Sequence, residues 1–158
     1  MASSPTADTP TSLAGLSAIV TGGARGIGLG IAQDLAAQGC RVAIWDRSAE
    51  SLREAVALFA AQGHEVLASE VSVTAPDEVE AAVQQLQQAT GRVDILVNNA
   101  GIGGDKLVTK MDLDFWRQVI DVNLTSQFIC CKAVVPHMVA RGFGRIVNIS
   151  SRAWRGNR

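Results

Sequence analysis

The sequence predicts an α/β protein built on a doubly wound parallel sheet. Three observations carry that prediction. Short apolar runs alternate with longer amphipathic stretches from residue 16 to residue 150. A glycine-rich turn joins the first apolar run to the first amphipathic stretch. The polar residues that stand out fall just after apolar runs rather than being scattered.

Strands are predicted at 16–21, 41–45, 65–70, 93–97 and 145–150, and helices at 27–38, 49–62, 76–89 and 112–141. The first strand is Leu16-Ser-Ala-Ile-Val, which leads through the turn Thr21–Gly28 into the first helix. The second is Arg41-Val-Ala-Ile-Trp45. Gly39, Gly63 and Gly91 each follow a helix and permit its left-handed cap. Pro76 with Asp77 and Glu78 suits a helix start, because proline loses no hydrogen bond there and acids complement the dipole. The long stretch 112–141 is expected to be bent or split, with Pro136 deforming or interrupting it. The last strand, 145–150, is apolar on both faces and so calls for cover on both.

The turn Thr21-Gly-Gly-Ala-Arg-Gly-Ile-Gly28 lets bare backbone approach an anion. A side chain at Gly22 would obstruct the turn, and one at Gly26 or Gly28 would hold a pyrophosphate or the next strand at a distance. The following helix turns its unpaired N–H groups and positive dipole end toward the same point. Asp46 closes the second apolar run twenty residues after Gly26, where a carboxylate accepts hydrogen bonds from the hydroxyls of an adenosine ribose. A doubly wound sheet takes its ligand at the carboxyl ends of its strands, where the winding reverses. Thr21–Gly28, Asp46, Glu70, Asn98–Gly101 and Ser150–Ser151 all stand at such ends. A dinucleotide site is the leading functional reading.

Composition narrows the alternatives. With 47% apolar and 18% charged residues, the 158-residue chain suits one soluble globular unit. No apolar run approaches the ~20 residues that span a bilayer, so no membrane partner is expected. A net charge of −1 gives no electrostatic reason to expect nucleic acid. Cys40, Cys130 and Cys131 form no disulfide framework and read as buried thiols in a reducing cytoplasm. His64 and His137 lack the spacing of a metal site, and none is expected. Residues 1–12 carry one acid and no base among Ser, Thr, Ala and Pro. They match neither a secretory signal nor a mitochondrial presequence and are predicted to be a disordered tail, leaving 13–158 as one domain.

Three further segments join the glycine turn: Asn98-Asn-Ala-Gly101, Asp121-Val-Asn-Leu124 and Ile146-Val-Asn-Ile-Ser-Ser151. In this order and spacing the four resemble the short-chain dehydrogenase/reductase family, and the likeness covers nearly everything from Leu13 onward. The nearest subgroup is that of the 3-oxoacyl-(acyl carrier protein) reductase-like and secondary-alcohol dehydrogenase members. The resemblance implies a Rossmann fold, a nicotinamide cofactor, and hydride transfer between nicotinamide C4 and the carbinol carbon of a secondary alcohol or ketone, 3-oxoacyl thioesters included. It implies that Gly22, Arg25, Gly26, Ile27 and Gly28 contact the cofactor's phosphates and adenosine ribose. The run Asn98 to Gly101, with Asn99 and Ala100, would steady the central sheet and line the cofactor site. Glu70, followed by Val71, stands where the family usually has an aspartate touching the adenine. Asn123 matches the asparagine whose backbone carbonyl holds a water in a proton relay. Ser151, with Ser150 as the alternative, matches the serine that donates to the substrate carbonyl. A tyrosine, its pKa lowered by a nearby lysine and the cofactor's charge, is the family's general acid or base.

Besides Glu70, the chain departs from that pattern at one further point. It contains no tyrosine, and the Tyr-x-x-x-Lys pair would fall on a helix beyond Arg158. Lys106, Lys110 and Lys132 have no special spacing and read as surface charges. The expectation is therefore the N-terminal portion of a longer oxidoreductase: an incomplete sheet of the first five strands, stopping before the acid/base helix and without turnover of its own. A non-catalytic nucleotide-binding or subunit-pairing module is the alternative. The flank of helix 112–141 and the edge of strand 145–150 are expected to lie exposed. Asp46 favours NAD by repelling a 2′-phosphate, whereas Arg25 and Arg47 occupy positions from which NADP users grip one. Residues 102–110 form a loop bordering the substrate without specifying it. The resemblance implies that the longer protein assembles as a homotetramer or homodimer through the 112–141 helix and the next.

Overall fold

The computed structural model describes residues 12–104 and 106–151. The tail expected over 1–12 lies, apart from Ser12, outside the described residues. The elements run β1 (Ser17–Thr21), α1 (Gly26–Ala37), β2 (Arg41–Asp46), α2 (Ala49–Ala61), β3 (Val66–Glu70), α3 (Pro76–Thr90), β4 (Ile95–Asn98), α4 (Leu113–Ile120), α5 (Ser126–Arg141) and β5 (Arg145–Asn148). The strands form one sheet in the order β3-β2-β1-β4-β5, every pair parallel. The chain winds outward from β1 to β3, and β4 then returns to the other side of β1. The reversal between β1 and β4 opens a crevice at their carboxyl ends.

Alternation along the strands builds two cores. Ala18 and Val20 of β1, Val42 and Ile44 of β2 and Ile95 and Val97 of β4 face α1 and α2, where they meet Ala32, Ala36, Leu52, Ala55 and Phe59. Ile19, Ala43, Trp45 and Leu96 face the other way, onto Val79, Val83 and Leu86 of α3 and Cys130, Val134 and Met138 of α5. Residues covered on both faces give near-continuous apolar strands, which is why β1, β2 and β4 were legible as short runs. At the opposite end of the sheet the buried Asp94 carboxylate accepts from Ser17 N at 2.8 Å and pairs with the Arg92 guanidinium. The bond from Ser17 N to Asp94 ties the start of β4 to β1 at their amino ends.

The helices start and stop where local chemistry dictates. Ser48 caps α2 by accepting from Ser51 N at 3.2 Å. Pro76, Asp77 and Glu78 occupy the first turn of α3, and the Glu78 carboxylate reaches back to accept from Ser72 N at 2.7 Å. Gly39, Gly63 and Gly91 have the positive φ expected of them.

Two expectations need correction. The irregularity in the last helical stretch is a π turn over Asp121–Thr125, between α4 and α5, and not a break at Pro136. Pro136 lies on an exposed face within α5, which runs unbroken through it. At the π turn, Ser126 Oγ donates to Val122 O at 2.6 Å, a local bond that competes with the helical ladder. The second correction concerns length. Leu113–Arg141 forms one 29-residue helical run that is long and apolar enough, by those two measures, to cross a membrane. In this fold α5 instead lays Ser126, Cys130, Val134 and Met138 along the sheet and α3.

β5 is one of the two edge strands, and all four of its residues are exposed, Ile146 and Val147 among them. On the helices, Leu113, Trp116, Leu124, Phe128, Val135 and Val139 are exposed as well. Their spacing draws a seam along the outside of α4 and α5.

Candidate functional site

The glycine turn is held by the tip of β4. Thr21 Oγ1 accepts from both Asn99 N and Ala100 N at 3.0 Å. Asn99 Nδ2 donates to Thr21 O at 3.0 Å and to Gly22 O at 3.1 Å. Gly22 has φ +62, and a Cβ there would stand 3.1 Å from Ala100 Cα. At Gly28 a Cβ would collide with the Gly22 carbonyl and lie 2.5 Å from Asn99 Nδ2. Gly22 and Gly28 are thus required by the turn's own packing. Gly26, at φ +55, has no heavy atom within 4 Å of its Cβ position and faces open space. Gly23, which the sequence reading passed over, packs against β1 and β2: its Cβ would meet Val20 O at 2.7 Å and Ile44 at 2.9 Å.

Beside this turn lies a cleft of about 870 Å³. Of the residues singled out in the sequence, Gly22, Arg25, Ile27, Asp46 and Arg47 line it, as do Val71, Asn99, Ala100 and Gly101. They arrive from the ends of β1, β2, β3 and β4. Asp46 is buried, with Oδ1 accepting from Ser48 N at 3.1 Å, whereas Arg25 and Arg47 are exposed. Ile27 presents a largely exposed apolar side chain in the first turn of α1.

Five predicted residues stand outside the lining. Gly26 and Gly28 build the turn beneath it. Glu70 ends β3 opposite Asp46 in register and is exposed; the lining on that side begins one residue later and continues through Ser72, Val73 and Thr74. Ser151 lies exposed past the end of β5. Asn123 lies in the π turn, where its side-chain oxygen accepts from Ile102 N at 2.8 Å and its amide donates to Ile102 O at 2.9 Å. Its backbone carbonyl accepts from Gln127 Nε2 at 2.9 Å. Asn123 therefore pins the start of the 102–110 loop.

The sequence reading missed the far wall. Asp114, Arg117 and Gln118 of α4, with Asp121, Val122 and Thr125 of the π turn, also line the cleft. The signal was a polar stripe at helical spacing, which ordinarily marks a solvated face. Here that solvated face of α4 also borders the open side of the cleft, while Phe115, Val119 and Ile120 are the less exposed residues of the helix. Lys106, read as a plain surface charge, bonds Asp112 at 2.7 Å and sits 4.4 Å from the centroid of the Phe115 ring. Asp112 in turn caps α4 by accepting from Phe115 N at 2.7 Å. The Lys106 hydrogen bond, and then that backbone N–H, hold the Asp112 carboxyl below its usual range.

Comparison with known proteins accords with this geometry. The family model for short chain dehydrogenase matches residues 17–156. The chain is 44% identical over 139 residues to the (2S)-((R)-hydroxy(phenyl)methyl)succinyl-CoA dehydrogenase subunit BbsD of Thauera aromatica, covering 88% of this chain and 56% of that protein. It is 42% identical over 144 residues to a 3-oxoacyl-(acyl-carrier-protein) reductase of Synechocystis, covering 90% and 58%. The crystal structure of a metagenomic short-chain oxidoreductase in complex with NADP superposes with a TM-score of 0.83 at 37% identity, covering 89% of this chain and 64% of that one. The chain thus spans somewhat more than half the length of these relatives. With its sheet order, its strand-tip cleft and a family match across most of its length, the chain belongs to the short-chain dehydrogenase family.

Proposed function

We propose that the chain is the dinucleotide-binding portion of an NAD-dependent oxidoreductase acting on secondary alcohols or ketones, 3-oxoacyl thioesters among them. The observation that carries the reading is the convergence of four strand tips on one cleft, with bare backbone on one side and a buried carboxylate on the other. The chain's own atoms fit the cofactor. Gly26 leaves room for a diphosphate, and no side chain caps the N-terminus of α1, so its first N–H groups are available to an anion. Asp46 at the tip of β2 suits the two hydroxyls of an adenosine ribose and opposes a 2′-phosphate, which favours NAD over NADP despite Arg25 and Arg47.

When bound, the cofactor supplies the hydride acceptor or donor. The residues divide the remaining work. Gly22 and Gly26 admit the phosphates, Asp46 and Arg47 sort the ribose, and Ala100 and Gly101 form the floor. Asn123 keeps Ile102 and the loop after it in place, and Ser151 orients the substrate oxygen. The 158 residues include no tyrosine, so proton transfer by the family's tyrosine falls to a longer polypeptide, and this chain binds without turning over. Its cytoplasmic location and the single domain over 13–158 belong to the same proposal. The exposed seam of α4 and α5 favours a pairing role for that surface, through which the longer protein assembles as a homodimer or homotetramer.

Calorimetric titration tests the reading. Saturable binding of NADH, with NADPH weaker, is expected, and Asp46→Ala should shift preference toward NADPH. Absence of saturation by either ligand overturns the proposal.

A further inference from the structure

The π turn between α4 and α5 is held by side chains that follow it. Ser126 N reaches back five residues to Asp121 O, the bond that sets π geometry. In an α-helix that amide would serve Val122 O; here Ser126 Oγ does so at 2.6 Å. At the next carbonyl, Asn123 O, the side-chain amide of Gln127 donates at 2.9 Å. Ser126 also belongs to the buried face of α5, whereas Gln127 does not. Gln127 is half-buried and does not line the cleft.

The turn shapes the cleft in two ways. Its own residues Asp121, Val122 and Thr125 line the far wall. Its Asn123 side chain makes both bonds to the backbone of Ile102, which lines the cleft beside Gly101. We infer that Gln127 is a positioning residue for the cleft: by holding the Asn123 carbonyl it fixes the π turn, and through the turn the placement of both walls. Successive residues of an α-helix stand about 100° apart around its axis. A π turn that relaxed to α geometry would lose its extra residue and rotate what precedes it by that angle relative to α5. Asn123 would then no longer face Ile102, and Val122 would swing away from the cleft. The inference rests on the dinucleotide reading and adds to it a residue outside the lining on which affinity depends.

The experiment uses the ¹⁵N-labelled chain. In wild type a side-chain amide proton of Gln127 should resist exchange with solvent, and rapid exchange of both overturns the inference whether or not the variants fold. Gln127→Glu keeps the shape and sets an acceptor against the Asn123 carbonyl. By calorimetry it should weaken NADH binding by about three- to tenfold, which is the ordinary worth of one hydrogen bond. Hydrogen exchange should quicken at Ile102 and Gly103, while β1 and residues 130–138 of α5 stay protected. A residue that merely stabilised α5 would loosen that helix as a whole and spare Ile102. If Gln127→Glu fails to fold, Gln127→Leu removes the donor without adding charge and takes its place. A folded variant that binds NADH as tightly as wild type, or that keeps Ile102 protected, overturns this inference and leaves the dinucleotide reading intact. Wild-type chain that does not bind NADH overturns both.

Discussion

Thr21 is buried at the end of β1, and its hydroxyl accepts two backbone N–H groups from the tip of β4. Thr21→Val keeps the shape and removes the acceptor, leaving Asn99 N and Ala100 N without it. A loss of about 1–3 kcal/mol is expected in urea unfolding. The glycines offer a matched pair. Gly28→Ala forces a methyl group into the Gly22 carbonyl and should cost about 1–3 kcal/mol, with loss of NADH binding. Gly30, two residues along α1, has open space at its Cβ position, so Gly30→Ala should stabilise the chain by about 0.5–1 kcal/mol. Thermal melts of the two variants should move in opposite directions. Gly22, Gly28 and Asp46 were readable because a single chemical demand, either bare backbone or a carboxylate at a strand end, fixes the residue type. The far wall was not readable: Asp114, Arg117 and Gln118 make a polar stripe that looks like any solvated helix face.

Among the elements, strand identity was easy to read and helix continuity was not. β1, β2 and β4 are short, apolar and closed by polar residues, so period and length agree. The 112–141 stretch carries two competing signals. Proline is the stronger helix breaker by propensity, yet Pro136 sits on an outer face of α5, which continues past it, while the Asp121–Thr125 segment departs from α geometry with no breaker residue at all. Tertiary demand decides: Asn123 must reach both backbone groups of Ile102. Asn123→Ala should therefore free the loop, raising hydrogen exchange at Ile102 and Gly103 while leaving β1 and β2 protected. Capping follows simpler rules. Ser48→Ala removes the acceptor for Ser51 N and should cost about 1 kcal/mol, read in the same unfolding series.

For the whole molecule, two consequences concern pH and association. Burial, with the neighbouring Cys131, pushes the Cys130 thiol up to about 12. Burial, and then the charge of Asp94, pushes Cys40 up as well. In the unfolded chain these thiols ionise near 9.0, whereas the folded chain keeps its protons. The unfolded state thus binds fewer protons above that pH, and stability, intact below it, falls as pH rises from 9 toward 12. The melting temperature should decline over that window, with a shallower slope in Cys130→Ala. The exposed seam through Leu124, Phe128 and Val139, together with the open β5 edge, should make the chain self-associate. Light scattering should report this, and Phe128→Ser with Val139→Ser should reduce it.

The clamp between Thr21 and Asn99 joins residues separated by 78 positions. While a ribosome is still releasing β2 and β3, the first glycines have nothing to close against. Pocket and sheet are consequently completed in one late event, and a nucleotide that favours the finished pocket pulls on the entire folding equilibrium rather than on a local loop. Heat denaturation in the presence of NADH should accordingly shift as one cooperative transition.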